Sequence, residues 1–115
     1  MSQSTKVLKE FGAVTSFGGS IDKISGTGAL GAINLGTAVT VVSTTGAATA
    51  TLANGFEGQQ KIIVCGAYVA DLVLTPANLL GSNATITFNA VGDSIALVFA
   101  SGQWCPVGTP TAALA

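Results

Sequence analysis

Apolar and polar positions alternate in short runs along most of this chain, and the runs are separated by turn residues. Val39-Thr-Val-Val-Ser43 and Ala47-Ala-Thr-Ala-Thr-Leu52 flank Thr44-Thr45-Gly46, a pattern that predicts a β-hairpin. Asn54-Gly55 and Gly58 mark a loop, and strands are predicted over 60–65 and 71–75. Pro76 to Gly81 reads as a loop or a single helical turn, begun by Pro and ended by Gly. Residues 84–88 place Ile86 and Phe88 on one face and Thr85 and Thr87 on the other. Val91-Gly92-Asp93 turns the chain into a strand over 94–99, and the tight Ser101-Gly102 turn leads to a closing strand at Gln103-Trp104-Cys105. Seven or eight short strands at intervals of roughly 8–12 residues predict an all-β domain, a small β-sandwich or barrel of short antiparallel strands.

Residues 1–31 break this pattern. They carry Lys6, Lys9, Glu10, Asp22 and Lys23, the loose glycine runs 18–20 and 26–31, and apolar Val7, Leu8, Phe11, Val14 and Phe17 without a clean period. The expected organisation is an extended N-terminal arm over 1–31 and a β-sandwich or barrel domain over 32–115. An arm with apolar side chains gains order by docking on a partner; the alternative is a frayed terminus that packs locally. Those five apolar residues are therefore the expected contacts of the arm.

Composition sharpens the picture. Mean hydropathy is +0.65 and only 8% of the 115 residues are charged, with four Lys, no Arg and no His. So little charge on so apolar a chain implies that surface is covered by copies or by a partner. Runs such as Ile62-Ile63-Val64 and Leu97-Val98-Phe99 are apolar on both strand faces, which points to a neighbouring subunit over the outer face. Ile63, Val98, Phe99 and Trp104 are the expected core or subunit-packing residues. Four scattered Lys cannot build the basic surface that nucleic acid requires. No apolar run approaches the roughly 20 residues of a membrane-spanning helix, and the first residues lack the pattern of a signal peptide. The chain is thus expected to be used without secretion.

Candidate chemistry is sparse. Gly26-Thr-Gly-Ala-Leu-Gly31 matches the dinucleotide-binding fingerprint in letters, but strand-like residues follow it and the next acid is Glu57. It reads as a flexible joint. Cys65 and Cys105, without any His, cannot complete a tetrahedral zinc site. Two free thiols or one intrachain disulfide are both open. A Ser nucleophile has no His base, and Glu10, Asp22, Glu57, Asp71 and Asp93 are dispersed. Asp93 suits a turn role, its carboxylate capping backbone N–H groups. No enzyme, cofactor or metal site is expected. Trp104 with Tyr68 is the one place where a sugar platform would be sought, against a core role for the indole.

The stretches Gly55-Phe-Glu-Gly-Gln-Gln-Lys-Ile-Ile-Val64, Leu74-Thr-Pro-Ala-Asn-Leu-Leu80 and Ile86-Thr-Phe-Asn-Ala-Val-Gly-Asp-Ser-Ile-Ala-Leu-Val-Phe99, with Gln103-Trp104, resemble β-domains of tailed-bacteriophage virions. Both capsid decoration (cement) proteins and trimeric tail-fibre domains share this look. At 115 residues without a stem, the chain is more similar to the decoration proteins. The resemblance implies a structural virion protein on the outer capsid surface, made in the host bacterial cytoplasm. It would clamp neighbouring major capsid proteins, as a homotrimer, with its arm on the shell. The alternative is a receptor- or glycan-binding fibre or head-fibre tip.

Overall fold

The computed structural model describes residues 21–115. Eight strands are present: β1 (Ile21–Ala32), β2 (Val39–Leu52), β3 (Gln60–Ala67), β4 (Leu72–Pro76), β5 (Ile86–Phe88), β6 (Ser94–Ala100), β7 (Gln103–Val107) and β8 (Ala113–Leu114). The fold is all-β, a single mixed sheet curled into a half-barrel. The order is β7-β6-β3-β2-β4-β5-β8, with β1 against the other side of β2.

β2 organises everything. The expected hairpin at 44–46 is instead one continuous 14-residue strand, because β1 pairs along almost its whole length on one side. On the other side its first half pairs with β3 and its second half with β4. The inward residues keep one parity throughout: Thr40, Val42, Thr44, Ala48, Ala50 and Leu52 are all buried. Thr44-Thr45-Gly46 marks the point where β2 changes partner, not a reversal of the chain.

The three ladders of β2 are parallel and the other four antiparallel, which corrects the all-antiparallel expectation. Parallel neighbours require the chain to return to its starting end. Connections of six and seven residues do so here, at 33–38 and 53–59. They reach at most roughly 25–28 Å, whereas straight strands of 12 and 14 residues would run ~36 and ~43 Å. β1 and β2 must therefore bend so that their ends approach. The curl is a requirement of the short connections.

Between β3 and β4 the chain leaves the ladder at residues 68–71. Thr44 satisfies this jog: its hydroxyl accepts from Val69 N (3.0 Å) and Ala70 N (3.3 Å) and donates to Ala70 O (2.8 Å). The concave side holds the core, with Ile63, Leu72, Leu74, Ile86, Phe88, Ile95, Leu97, Phe99 and Trp104 among its members. Phe99 and Trp104 pack with ring centroids 5.1 Å apart and planes at 73°. Trp104 also ties the two wings of the sheet, as its N–H donates to Asn78 O and its carbonyl accepts from Leu80 N.

Residues 21–31 of the expected arm belong to strand β1, with bulges at its glycines. Gly26, Gly28 and Gly31 have positive φ. The fingerprint-like run is thus bulged strand, followed by a loop and β2 with no helix. Ser101 (φ 56°) and Gly102 (φ 77°) form the tight turn between β6 and β7 in the left-handed conformation of a two-residue hairpin.

Candidate interaction surface

Among the described residues, Lys61, Glu57, Gln59, Asp71 and Asp93 are engaged in holding the fold together. Lys61, which its residue type places at the surface, is wholly buried. It points inward from the start of β3, where the two return connections cross. Its ammonium donates to Asn34 O (2.6 Å), Thr37 O (2.8 Å) and Thr37 Oγ1 (3.1 Å), anchoring the first connection. Burial pushes its pKa below the ordinary lysine value, and the Asp22 charge opposes this.

Glu57 anchors the second connection. Its two carboxylate oxygens accept from Ser101 N (2.8 Å) and Gly102 N (3.0 Å), and these bonds hold its carboxyl below the usual range. Gln59 links the connections, its amide accepting from Phe56 N and donating to Leu35 O. Asp93 caps Asn89 N at 2.9 Å, the turn role expected of it. The Tyr68 hydroxyl donates to Asp71 at 2.8 Å, and Asp71 with burial holds the phenol above its usual pKa.

The expected contact residues of the arm, Val7, Leu8, Phe11, Val14 and Phe17, lie outside the described residues. Ile63, Phe99 and Trp104 are core, whereas Val98 is half-buried and on the outward face. Trp104 offers no face to a sugar, because its ring is buried and its Nε1 donates to Ala53 O at 2.9 Å. It does not join Tyr68 in a platform. Cys65 is inward and buried and Cys105 is on the outward face; both are free thiols. Burial, and then the Asp93 charge, pushes the Cys65 thiol up. Among the described residues no group of three or more His, Cys, Asp or Glu could hold a metal ion. Among them, too, no helix is long and apolar enough to cross a membrane.

One wing of the sheet leaves a largely apolar row outside, whereas the outward positions of the β2–β4–β5 wing include Thr49, Thr51, Thr75 and Thr87. Strand register places Ile21, Val39, Ile62, Ala96 and Val107 side by side across β1, β2, β3, β6 and β7. Directly opposed residues share a face, so this is one continuous outward row. Ile21, Ile62 and Val107 are 57%, 40% and 55% exposed. The row on one side is Lys23-Val41-Val64-Ser94, and on the other Gln60-Val98-Cys105. Lys23 is the one charged residue in the three rows. Over Ala96 lies a shallow depression of about 150 Å³, bordered by Gln60, Ile62, Val98 and Val107.

Four further exposed apolar residues, Phe56, Val69, Leu80 and Val91, sit on loops. Phe56, 68% exposed, stands on the rim of an open groove between residues 35–38 and 56–60. Leu80 is on the loop that meets Trp104. Sequence reasoning detected the two-faced apolar strands but not the alignment of the row, which depends on non-local register. It also missed Lys61, for which only its place before an apolar run gave a signal.

Comparison with known proteins finds no matching family model and no matching curated protein.

Proposed function

We propose that this chain is a structural virion protein that decorates and stabilises a bacteriophage capsid, clamping neighbouring major capsid proteins as a homotrimer on the outer shell. One observation carries the reading: among the described residues Lys61, Glu57, Asp71 and Asp93 are engaged in the fold, while an apolar sheet face and apolar loop tips are left outward. Such a domain is suited to cover and be covered. The mechanism is mass action, since a protein that binds only the intact shell stabilises it in proportion to its occupancy. The phage setting and the trimeric order come from the resemblance of the sequence motifs.

Titrating purified protein onto expanded, undecorated shells from its own source tests the proposal. Saturable binding that raises the rupture temperature of the shells is the expected result. Protein that ignores the shells and adheres to host cells overturns it in favour of a receptor-binding tip. Deleting residues 1–20 is expected to abolish shell binding while leaving the β-domain folded; retained binding removes the arm from the mechanism.

A further inference from the structure

We infer that the outward face of β1, β2, β3, β6 and β7 is a self-association surface. On it, the Ile62 side chain of one copy seats in the depression over Ala96 of the next. The inference deepens the homo-oligomer part of the reading above and does not depend on the capsid.

Three observations single out a second copy as the occupant. The first is shape. Ile62 and Ala96 are register partners on adjacent strands, so a protruding side chain stands directly beside a recess. The recess, about 150 Å³, is bounded by Ile62, Val98 and Val107. It is open to solvent and Gln60 also borders it, and its volume matches that of a benzene-sized group, the scale of an isoleucine side chain. A knob next to its own hole is the geometry in which each copy both gives and receives, in a closed ring of two or three.

The second observation is charge. Among the described residues, Glu57 is bonded to the β6–β7 turn, Asp71 to Tyr68, Asp93 to Asn89 N, and Lys61 is buried. Lys23, at one margin, is the only charge in the three rows. Away from Lys23 nothing on this face selects an acidic or a basic partner, and a face so poor in charge matches its own copy.

The third is extent. Five strands at ~4.8 Å and three rows at ~6.8 Å give a face on the order of 300–500 Å². That is less than the roughly 800 Å² per partner of a standard stable interface. The curl of the sheet further centres contact on the middle strand, β3, where Ile62 lies. The association is therefore concentration-dependent, and Ile62 dominates it.

Sedimentation velocity on the purified full chain over a wide concentration range tests this. Wild-type protein is expected to associate. I62A and A96L are each expected to weaken association at least about tenfold while unfolding at nearly the wild-type denaturant concentration, as both positions are on the outside of the sheet. An equimolar mixture of I62A and A96L is expected to associate more strongly than either alone, because one copy keeps the knob and the other the hole. Wild-type protein that stays monomeric at every concentration overturns the inference, including the case in which residues 1–20 cover the face. Association unaffected by I62A and A96L, or variants that fail to complement on mixing, overturns it as well. Shell binding is measured separately, so loss of the capsid reading leaves this result standing.

Discussion

Replacing Lys61 by Met tests the claim that a buried ammonium holds the curl closed. Methionine keeps the length of the stem and removes the charge. The ammonium makes three contacts, with Asn34 O, Thr37 O and Thr37 Oγ1. These contacts offset the several kcal/mol that desolvating a buried ammonium costs. In the variant that cost disappears, but two backbone carbonyls lose their partner, at about 1–3 kcal/mol each. A net loss of about 2–6 kcal/mol follows. Urea unfolding followed by Trp104 fluorescence measures it; with m about 2 kcal/mol/M the midpoint is expected to fall by about 1–3 M. The pH dependence gives a second readout. The folded pKa of Lys61 lies below 10.5, so above it the unfolded chain binds more protons than the folded one. Wild-type stability is therefore expected to rise relative to Lys61→Met as pH climbs through the folded pKa towards 10.5. An unchanged or higher midpoint at neutral pH refutes the anchoring role.

Four other outcomes are expected. Phe99→Ala removes a buried ring packed on Trp104 and is expected to cost about 3–5 kcal/mol in denaturant melts; a loss below about 1 kcal/mol shows the ring is not in the core. Thr40 Oγ1 is buried with no hydrogen-bond partner among the described residues, so the isosteric Thr40→Val is expected to stabilise by about 1–2 kcal/mol, and a destabilised variant shows the hydroxyl is bonded. Glu57 has a lowered pKa, so its contribution is present above pH 4.5 and lost as pH falls through the folded pKa; the gap between wild type and Glu57→Gln in melts is expected to close on acidification, and a gap that persists at low pH excludes the carboxylate. A thiol reagent is expected to label Cys105 in native protein and Cys65 only on unfolding; rapid labelling of both contradicts the inward placement of Cys65.

The strand content was legible because alternation and turn residues are local signals. The Ser101-Gly102 hairpin and the cap at Asp93 follow from a few adjacent residues, and both are present. β1 was hidden because Gly26, Gly28 and Gly31 interrupt its alternation at bulges. β2 was misread because Thr44-Thr45-Gly46 carries a turn composition, yet its outcome was decided by β1 alongside and by the hydroxyl of Thr44. Parallel pairing is written in no local segment, and with it went the register of the outward row. Lys61 defied its residue type because the short connections bring carbonyls to it, a product of the curl rather than of its neighbours in sequence.

The margins of the sheet bear on how far any assembly can grow. An open sheet edge can recruit strand after strand without limit, which is the route to fibres. Here the terminal strands are poor templates. β7 contains Pro106, which lacks the donor a ladder needs; β8 is two residues long; β1 carries adjacent charges at Asp22 and Lys23 and then three positive-φ glycines that break its line. In the self-association proposed above, apolar surface on a face beside blunted edges would direct copies to stack and close instead of extending, and so towards finite complexes.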